Sequence, residues 1–262
     1  MQDGEASVTA RGVAAYRLTF DRVPADYGEP ENDQRLQVDV AAGLDPPPSS
    51  LTKYLQARTF FIDQAVVGAI RDGFRQVVAV GAGYYGRSLR YAAPGVRWFE
   101  LDHPATQRDK RARLHRLDIS AAAIGFAPAD FTTDDVADAL ASAGHTPDVP
   151  TLFTCEGVIA YLEVPTVTSL LRSLQAVAAP GSRFALEIPL VTDQPEDDER
   201  RSSLRSTVGD LGEPLLSSVA RHELESFLAA TGWVIDRAAD PRGVTLGDGA
   251  RNTMFIHASP AA

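Results

Sequence analysis

Apolar positions along the chain change period near residue 76. Upstream, residues 9–30 carry Val13, Tyr16, Leu18 and Phe20 among polar neighbours and read as helical. Residues 31–50 end in Asp45-Pro46-Pro47-Pro48-Ser49-Ser50, an extended stretch that proline keeps out of helix. A second helix is expected over 51–72, with Leu55, Phe61, Val66 and Ile70 needing cover. From Gln76 onward, short apolar runs at 77–80, 96–101, 125–128, 150–154 and 183–189 predict strands. Segments 86–92, 105–117, 134–143 and 165–179 predict helices between them. The last is the clearest, with Leu170, Leu171, Leu174 and Val177 on one stripe and Pro165 and Gly181 near its ends. This alternation describes an α/β fold with a doubly wound parallel sheet.

Residues 191–218 break the rhythm with a charged run (Asp193, then Glu196 to Arg201) and Gly209-Asp210-Leu211-Gly212-Glu213-Pro214. After a sheet's carboxyl edge such a stretch is a solvated loop or an active-site lid. The chain resumes with a helix over 221–231 and strands over 233–237 and 252–258. The expected organisation is one domain over 1–262: an N-terminal helical extension (1–75), a cofactor-binding core (76–190), a lid insertion (191–218) and a C-terminal helix with strands (219–262).

Composition narrows the classes. With 44% hydrophobic and 23% charged residues the chain reads as globular, and a formal charge of −10 argues against a nucleic-acid surface. The single cysteine, Cys155, excludes an internal disulfide framework and suits a reducing compartment. No apolar stretch approaches the ~20 residues that span a bilayer, and Met1-Gln2-Asp3-Gly4-Glu5 is no secretory signal. A cytoplasmic protein without membrane or nucleic-acid partners is expected; composition fixes no oligomeric state.

The chemistry concentrates at 77–102. Gly81-Ala82-Gly83-Tyr84-Tyr85-Gly86 follows an apolar run, and a second run ends in Glu100-Leu101-Asp102. Bare glycines admit a ligand to the main chain, and an acid one strand over grips a ribose. The turn satisfies the dinucleotide fingerprint Gly-x-Gly-x-x-Gly, which keeps an NAD(P)-dependent oxidoreductase in view. Three features favour S-adenosyl-L-methionine instead. About 75 residues precede the turn, whereas the fingerprint usually opens its domain. Acids also follow the next strands, Asp130 and Glu156, where a pyrophosphate gains nothing from carboxylates. A ligand with an ammonium, a sulfonium, an exocyclic amine and a ribose can be held by several. Finally, two strands flank a helix at the C-terminus, as in the seven-stranded S-adenosylmethionine-dependent fold.

These residues resemble the leucine carboxyl methyltransferase family, and most closely its bacterial branch of S-adenosyl-L-methionine-dependent methyltransferases. The resemblance rests on Phe99-Glu100-Leu101-Asp102-His103-Pro104-Ala105-Thr106-Gln107 with Lys110, and on Ala57-Arg58-Thr59 with Ile62-Asp63. Gln76-Val77-Val78 before Gly81-Ala82-Gly83, Glu156-Gly157-Val158-Ile159-Ala160-Tyr161-Leu162 and Gly212-Glu213-Pro214 also carry it. It implies a class I methyltransferase-like Rossmann sheet of seven strands, the last antiparallel. It further implies that Arg58 pairs with the cofactor's methionine carboxylate and that Gly81 and Gly83 admit the cofactor to the backbone. Asp102 (with Glu100 as the alternative) would hold the ribose, Asp130 the adenine amine with Phe131 beside the ring, and Glu156 would sit near the methionine ammonium. One departure stands out: the family usually has Asp and Thr or Ser where this chain has Tyr85 and Gly86. Tyr84, Tyr85 and Tyr161 are therefore candidates for a substrate pocket.

A carboxylate acceptor, of a small molecule or a peptide end, is ionised at pH 7 and needs no general base. A hydroxyl acceptor would need one, and His103 is the sole weak candidate for a catalytic role. No metal-ligand spacing is present. Cys155 reads as packing, Asp102 and Asp130 could instead cap helices, and a non-catalytic S-adenosylmethionine-binding protein is the remaining alternative.

Overall fold

Continuous apolar runs become the centre of a seven-stranded sheet in the computed structural model, which describes residues 7–45, 51–191, 214–243, 245–246 and 253–261. The strands are β1 (Gln76–Val80), β2 (Arg97–Asp102), β3 (Ile124–Pro128), β4 (Thr151–Cys155), β5 (Arg183–Pro189), β6 (Trp233–Ala239) and β7 (Thr253–Pro260). Their order is β3-β2-β1-β4-β5-β7-β6. The first five run parallel, and β7 lies antiparallel between β5 and β6. Topology and strand count are those expected of the class I methyltransferase-like sheet.

Side-chain alternation explains why the central strands are apolar throughout, since each must bury two faces. Val78, Phe99, Phe153 and Phe184 pack with Leu140 of α6 (Val136–Ser142), Leu170, Leu171 and Leu174 of α7 (Val164–Ala176), and Leu224 and Leu228 of α8 (Leu224–Ala230). Their neighbours Val77, Trp98, Leu152 and Ala185 face the other way, onto Ile62, Val66 and Ile70 of α3 (Thr52–Arg71). A third apolar cluster joins Ala14 of α1 (Val8–Arg17), Leu36 and Val40 of α2 (Pro30–Ala41), and Leu114 of α5 (Pro104–Arg116). A short helix α4 (Arg87–Arg90) follows the glycine turn.

Register fixes where chemistry can gather. Val80 pairs with Leu101 and with Cys155, and Asp102 pairs with Pro128. The residues just past these ends therefore share one edge of the sheet.

The N-terminal region departs from the expected single helix over 9–30. Helix α1 starts from Ser7, whose Oγ accepts from the Ala10 N–H at 3.0 Å, and ends at Arg17. Pro24 disfavours helix at Val23. Arg22, next to it, turns inward to form a fork on Asp63 at 2.6 and 2.9 Å, and that charge-assisted contact replaces helical turns. Helix α2 was not expected; Pro30 sits in its first turn, where a missing N–H costs nothing. The expected Pro46-Pro47-Pro48 stretch, and residues 192–213 of the expected lid, lie outside the described residues.

Leu171 is fully buried at the α7–sheet seam, whereas Phe60 on α3 is 43% exposed. Replacing Leu171 with Ala should cost about 2–5 kcal/mol in urea unfolding, and Phe60→Ala less than about 0.5 kcal/mol. Equal effects would contradict this packing.

Candidate functional site

The turn after β1 is built by backbone rather than side chains. Gly81 and Gly83 adopt φ of +65° and +49°, a region that favours glycine. A Cβ on Gly81 would also lie 2.0 Å from Val158 Cγ2, so the turn packs directly on the segment after β4. The Gly83 N–H points to the end of β2 and donates to Asp102 Oδ2 at 2.5 Å, while Asp102 Oδ1 accepts from the His103 N–H at 2.7 Å. Burial pushes the Asp102 carboxyl up to about 6, against the pull of those two bonds.

Neither Asp102 nor Asp130 caps a helix. His103 caps α5, its Nδ1 accepting from the Ala105 N–H at 3.2 Å, and Asp135 caps α6. Asp130 instead folds onto Thr132, accepting from its N–H at 2.9 Å and its hydroxyl at 2.6 Å. Partial burial opposes ionisation there, but these hydrogen bonds outweigh it and hold the carboxyl below its ordinary range. His103 Nε2 lies 3.9 Å from Asp130 Oδ2.

A cavity of about 440 Å³ opens along this edge. Arg58, Gly81, Gly83, Asp102, Asp130, Phe131 and Glu156 all border it, as do Tyr84, Tyr85, Tyr161 and His103. Glu100 does not. It is buried and ion-paired with Lys110 Nζ at 2.7 Å, and it accepts from Ser88 Oγ at 2.6 Å. Of the two acids on β2, Asp102 alone faces the cavity. Lys110 Nζ also donates to the Tyr85 carbonyl at 2.5 Å, tying α5 to the glycine turn.

The β4 end of the cavity is dense with charge. Glu156 Oε1 accepts from Arg58 Nε at 2.9 Å and from the Tyr85 hydroxyl. Its Oε2 lies 2.6 Å from Arg87 Nη2, an ion pair without hydrogen-bond alignment. Burial raises the Glu156 carboxyl, and Arg58 and Arg17 pull it back. Arg87 Nε also meets Asp63, which burial would raise but which Arg22 and Arg87 hold down at about 2. Arg58 Nη1 lies 3.4 Å from Glu187 Oε2, and burial pushes the Glu187 carboxyl up to about 8. Cys155 is buried among apolar side chains, its thiol pushed up to about 12 by desolvation, as expected of a packing residue.

Sequence reasoning missed Glu187, Arg17 and Leu216. Glu187 ends the apolar run Phe184-Ala185-Leu186, the same signal that exposed Glu156. Arg17 is buried at the end of α1, borders the cavity, and its Nε has no hydrogen-bond partner among the described residues. Nothing local marks that arginine as buried. Leu216 also lines the cavity, beside Pro214 of the motif already noted in the sequence.

Residues 11–175 match the model of the leucine carboxyl methyltransferase family. The chain belongs to this family. A relative from Mycobacterium tuberculosis (strain H37Ra), named as an S-adenosyl-L-methionine-dependent methyltransferase, is 34% identical over 188 residues, covering 68% of this chain. The match spans about half, 54%, of that relative's length. A relative from Mycobacteroides abscessus with the same name is 30% identical over 249 residues, covering 87% of this chain and 79% of its own. Among solved structures, a methyltransferase from Thermobifida fusca superposes with a TM-score of 0.61 at 17% identity, covering 100% of this chain and 97% of its own. A DUF574 family protein from Streptomyces avermitilis gives 0.63 at 16%, covering 99% of each. Both likenesses show the seven-stranded α/β fold alone.

Within that family fold the half-buried Asp102 gives a pH signature. Its carboxyl is raised when folded, so below about pH 4 both states are protonated, while between about 4 and 6 the native state holds a proton the unfolded chain has lost. Stability from this group therefore falls as pH rises through about 6. Relative to wild type, Asp102→Asn should gain on the order of 2–3 kcal/mol in urea unfolding between pH 4 and 7. A constant difference across that range would contradict the burial of this carboxyl.

Proposed function

We propose that this chain is an S-adenosyl-L-methionine-dependent methyltransferase that methylates a carboxylate oxygen of a small molecule or a peptide end. The observation carrying the donor is linear. Strand order β3-β2-β1-β4 sets Asp130, Asp102, the glycine turn and Glu156 in sequence along one cavity. Three strand steps span about 14 Å, room for an extended ligand with a different group at each step. Asp130 is suited to an exocyclic amine, Asp102 to ribose hydroxyls, and Glu156 with Arg58 to the two charges of an amino acid. The backbone at Gly81 leaves no side chain in the way.

A pyrophosphate fits less well. The Gly83 N–H already donates to a carboxylate, and α4 has four residues, too few for a substantial dipole at its N-terminus.

Bound in this cavity, S-adenosyl-L-methionine supplies an electrophilic methyl group on sulfonium. The chain's task is then to align an acceptor oxygen, a positioning effect worth up to about 7–11 kcal/mol. A carboxylate oxygen arrives ionised, which suits a cavity whose only histidine, His103 among the described residues, spends Nδ1 on a helix cap.

Two measurements test this reading. Titration calorimetry should show binding of S-adenosylhomocysteine that weakens about 10–100-fold in Asp102→Ala, the loss of a charged hydrogen-bond partner, and no binding of NAD. Unchanged affinity would refute the assigned pocket. With methyl-tritiated S-adenosyl-L-methionine and a panel of carboxylic acids, label should be released by mild base as volatile methanol. Base-stable label would refute ester formation.

A further inference from the structure

Tyr85 occupies the β4 end of the cavity in an unusual way. Its ring is clamped between two guanidiniums, with Arg17 Cζ 3.1 Å from the centroid and Arg87 Cζ 4.1 Å from it. Both lie within cation–π range. Its carbonyl is pinned by Lys110 Nζ at 2.5 Å. Its hydroxyl donates to Glu156 Oε1, the same oxygen that accepts from Arg58 Nε. A carboxylate oxygen has about two acceptor sites, so Oε1 is filled. Oε2 is buried and faces Arg87. A ligand ammonium entering this end meets an Oε1 whose positions are taken and an Oε2 that has no hydrogen-bond partner but is buried against Arg87.

The geometry points to Tyr85 as a specificity-determining residue: its hydroxyl competes with the methyl donor's ammonium for Glu156 Oε1, lowering the pocket's preference for ligands that carry an amino-acid end. The inference rests on the methyl-donor reading and adds to it a property of this chain's own turn. Binding the ammonium requires the hydroxyl to leave. The two guanidiniums that hold the ring make that displacement costly, since the phenol cannot swing away without giving up both. Ligands without the amino-acid end pay no such cost. Removing the hydroxyl alone, as in Tyr85→Phe, leaves the ring between Arg17 and Arg87 and opens one acceptor site on Glu156.

The test compares S-adenosylhomocysteine with 5′-methylthioadenosine, which shares the nucleoside and thioether but lacks the amino acid. Calorimetry on the full chain should show Tyr85→Phe binding S-adenosylhomocysteine about 10-fold more tightly than wild type. Affinity for 5′-methylthioadenosine should stay unchanged, which also reports an intact pocket. Unchanged S-adenosylhomocysteine affinity would overturn the competition, and so would weaker binding, which would make the hydroxyl a ligand contact. If 5′-methylthioadenosine affinity changed in parallel, the effect would not belong to the ammonium and the proposal would fail. Should neither compound bind wild type or variant, the methyl-donor reading itself falls, a result distinct from every failure of the Tyr85 proposal alone.

Discussion

A carboxylate at the buried tip of β4 sets the terms for everything around it. Glu156 follows five buried strand residues and is itself buried, and an isolated charge in such a place is prohibitively costly. The fold answers with Arg58 from α3 and Arg87 from α4. Asp63 on α3 answers Arg87, while Glu187 on β5 lies beside Arg58 with its own carboxyl raised by burial. Asp63 then draws in Arg22, and Asp33 of α2 binds Arg22 and Arg90. One strand-end acid thus recruits a chain of ion pairs from α3, α4, β5 and both N-terminal segments. Breaking such a buried pair by removing one partner typically costs about 3–5 kcal/mol. The same chain of contacts fixes the wall of the cavity.

This explains why the N-terminal region, poor in apolar surface after α1, still packs against the sheet. Contacts between α1, α2 and the rest run partly through Ala14, Leu36 and Val40. They run equally through Arg17 on Gln37, Gln37 on the Tyr84 carbonyl, and Arg113 on Asp39. Polar attachment of this kind is directional. It holds α1 at the mouth of the cavity, where Thr9, Ala10 and Val13 form part of the lining.

The sheet was legible in the chain because each central strand buries two faces and so reads as an uninterrupted apolar run. Asp102, Asp130 and Glu156 were legible for the complementary reason, as acids that end such runs at one edge. The choice between Glu100 and Asp102 was not. They lie two residues apart on one strand and share a face, and only Lys110, arriving from α5, neutralises one of them. The boundary of α1 was hidden likewise, because Arg22 leaves the helical path for acids 11 and 41 residues away. Local pattern carries periodicity and strand ends; it does not carry which distant partner claims a charge.

The altered turn shows the same logic in reverse. A Cβ on Gly86 would lie 2.2 Å from Asp33 Oδ1 and 3.0 Å from Asp33 Cα, so the threonine or serine usual in the family cannot be accommodated while α2 sits where it does. Asp33 in turn cannot withdraw without giving up its ion pairs with Arg90 and Arg22. Next door, Tyr85 takes the place of an acid and spends its ring on Arg17 and Arg87, cations that an acid at that position would have neutralised directly. In this turn the Tyr85 ring lies against the guanidiniums of Arg17 and Arg87, and the space beside Gly86 is filled by the carboxylate of Asp33.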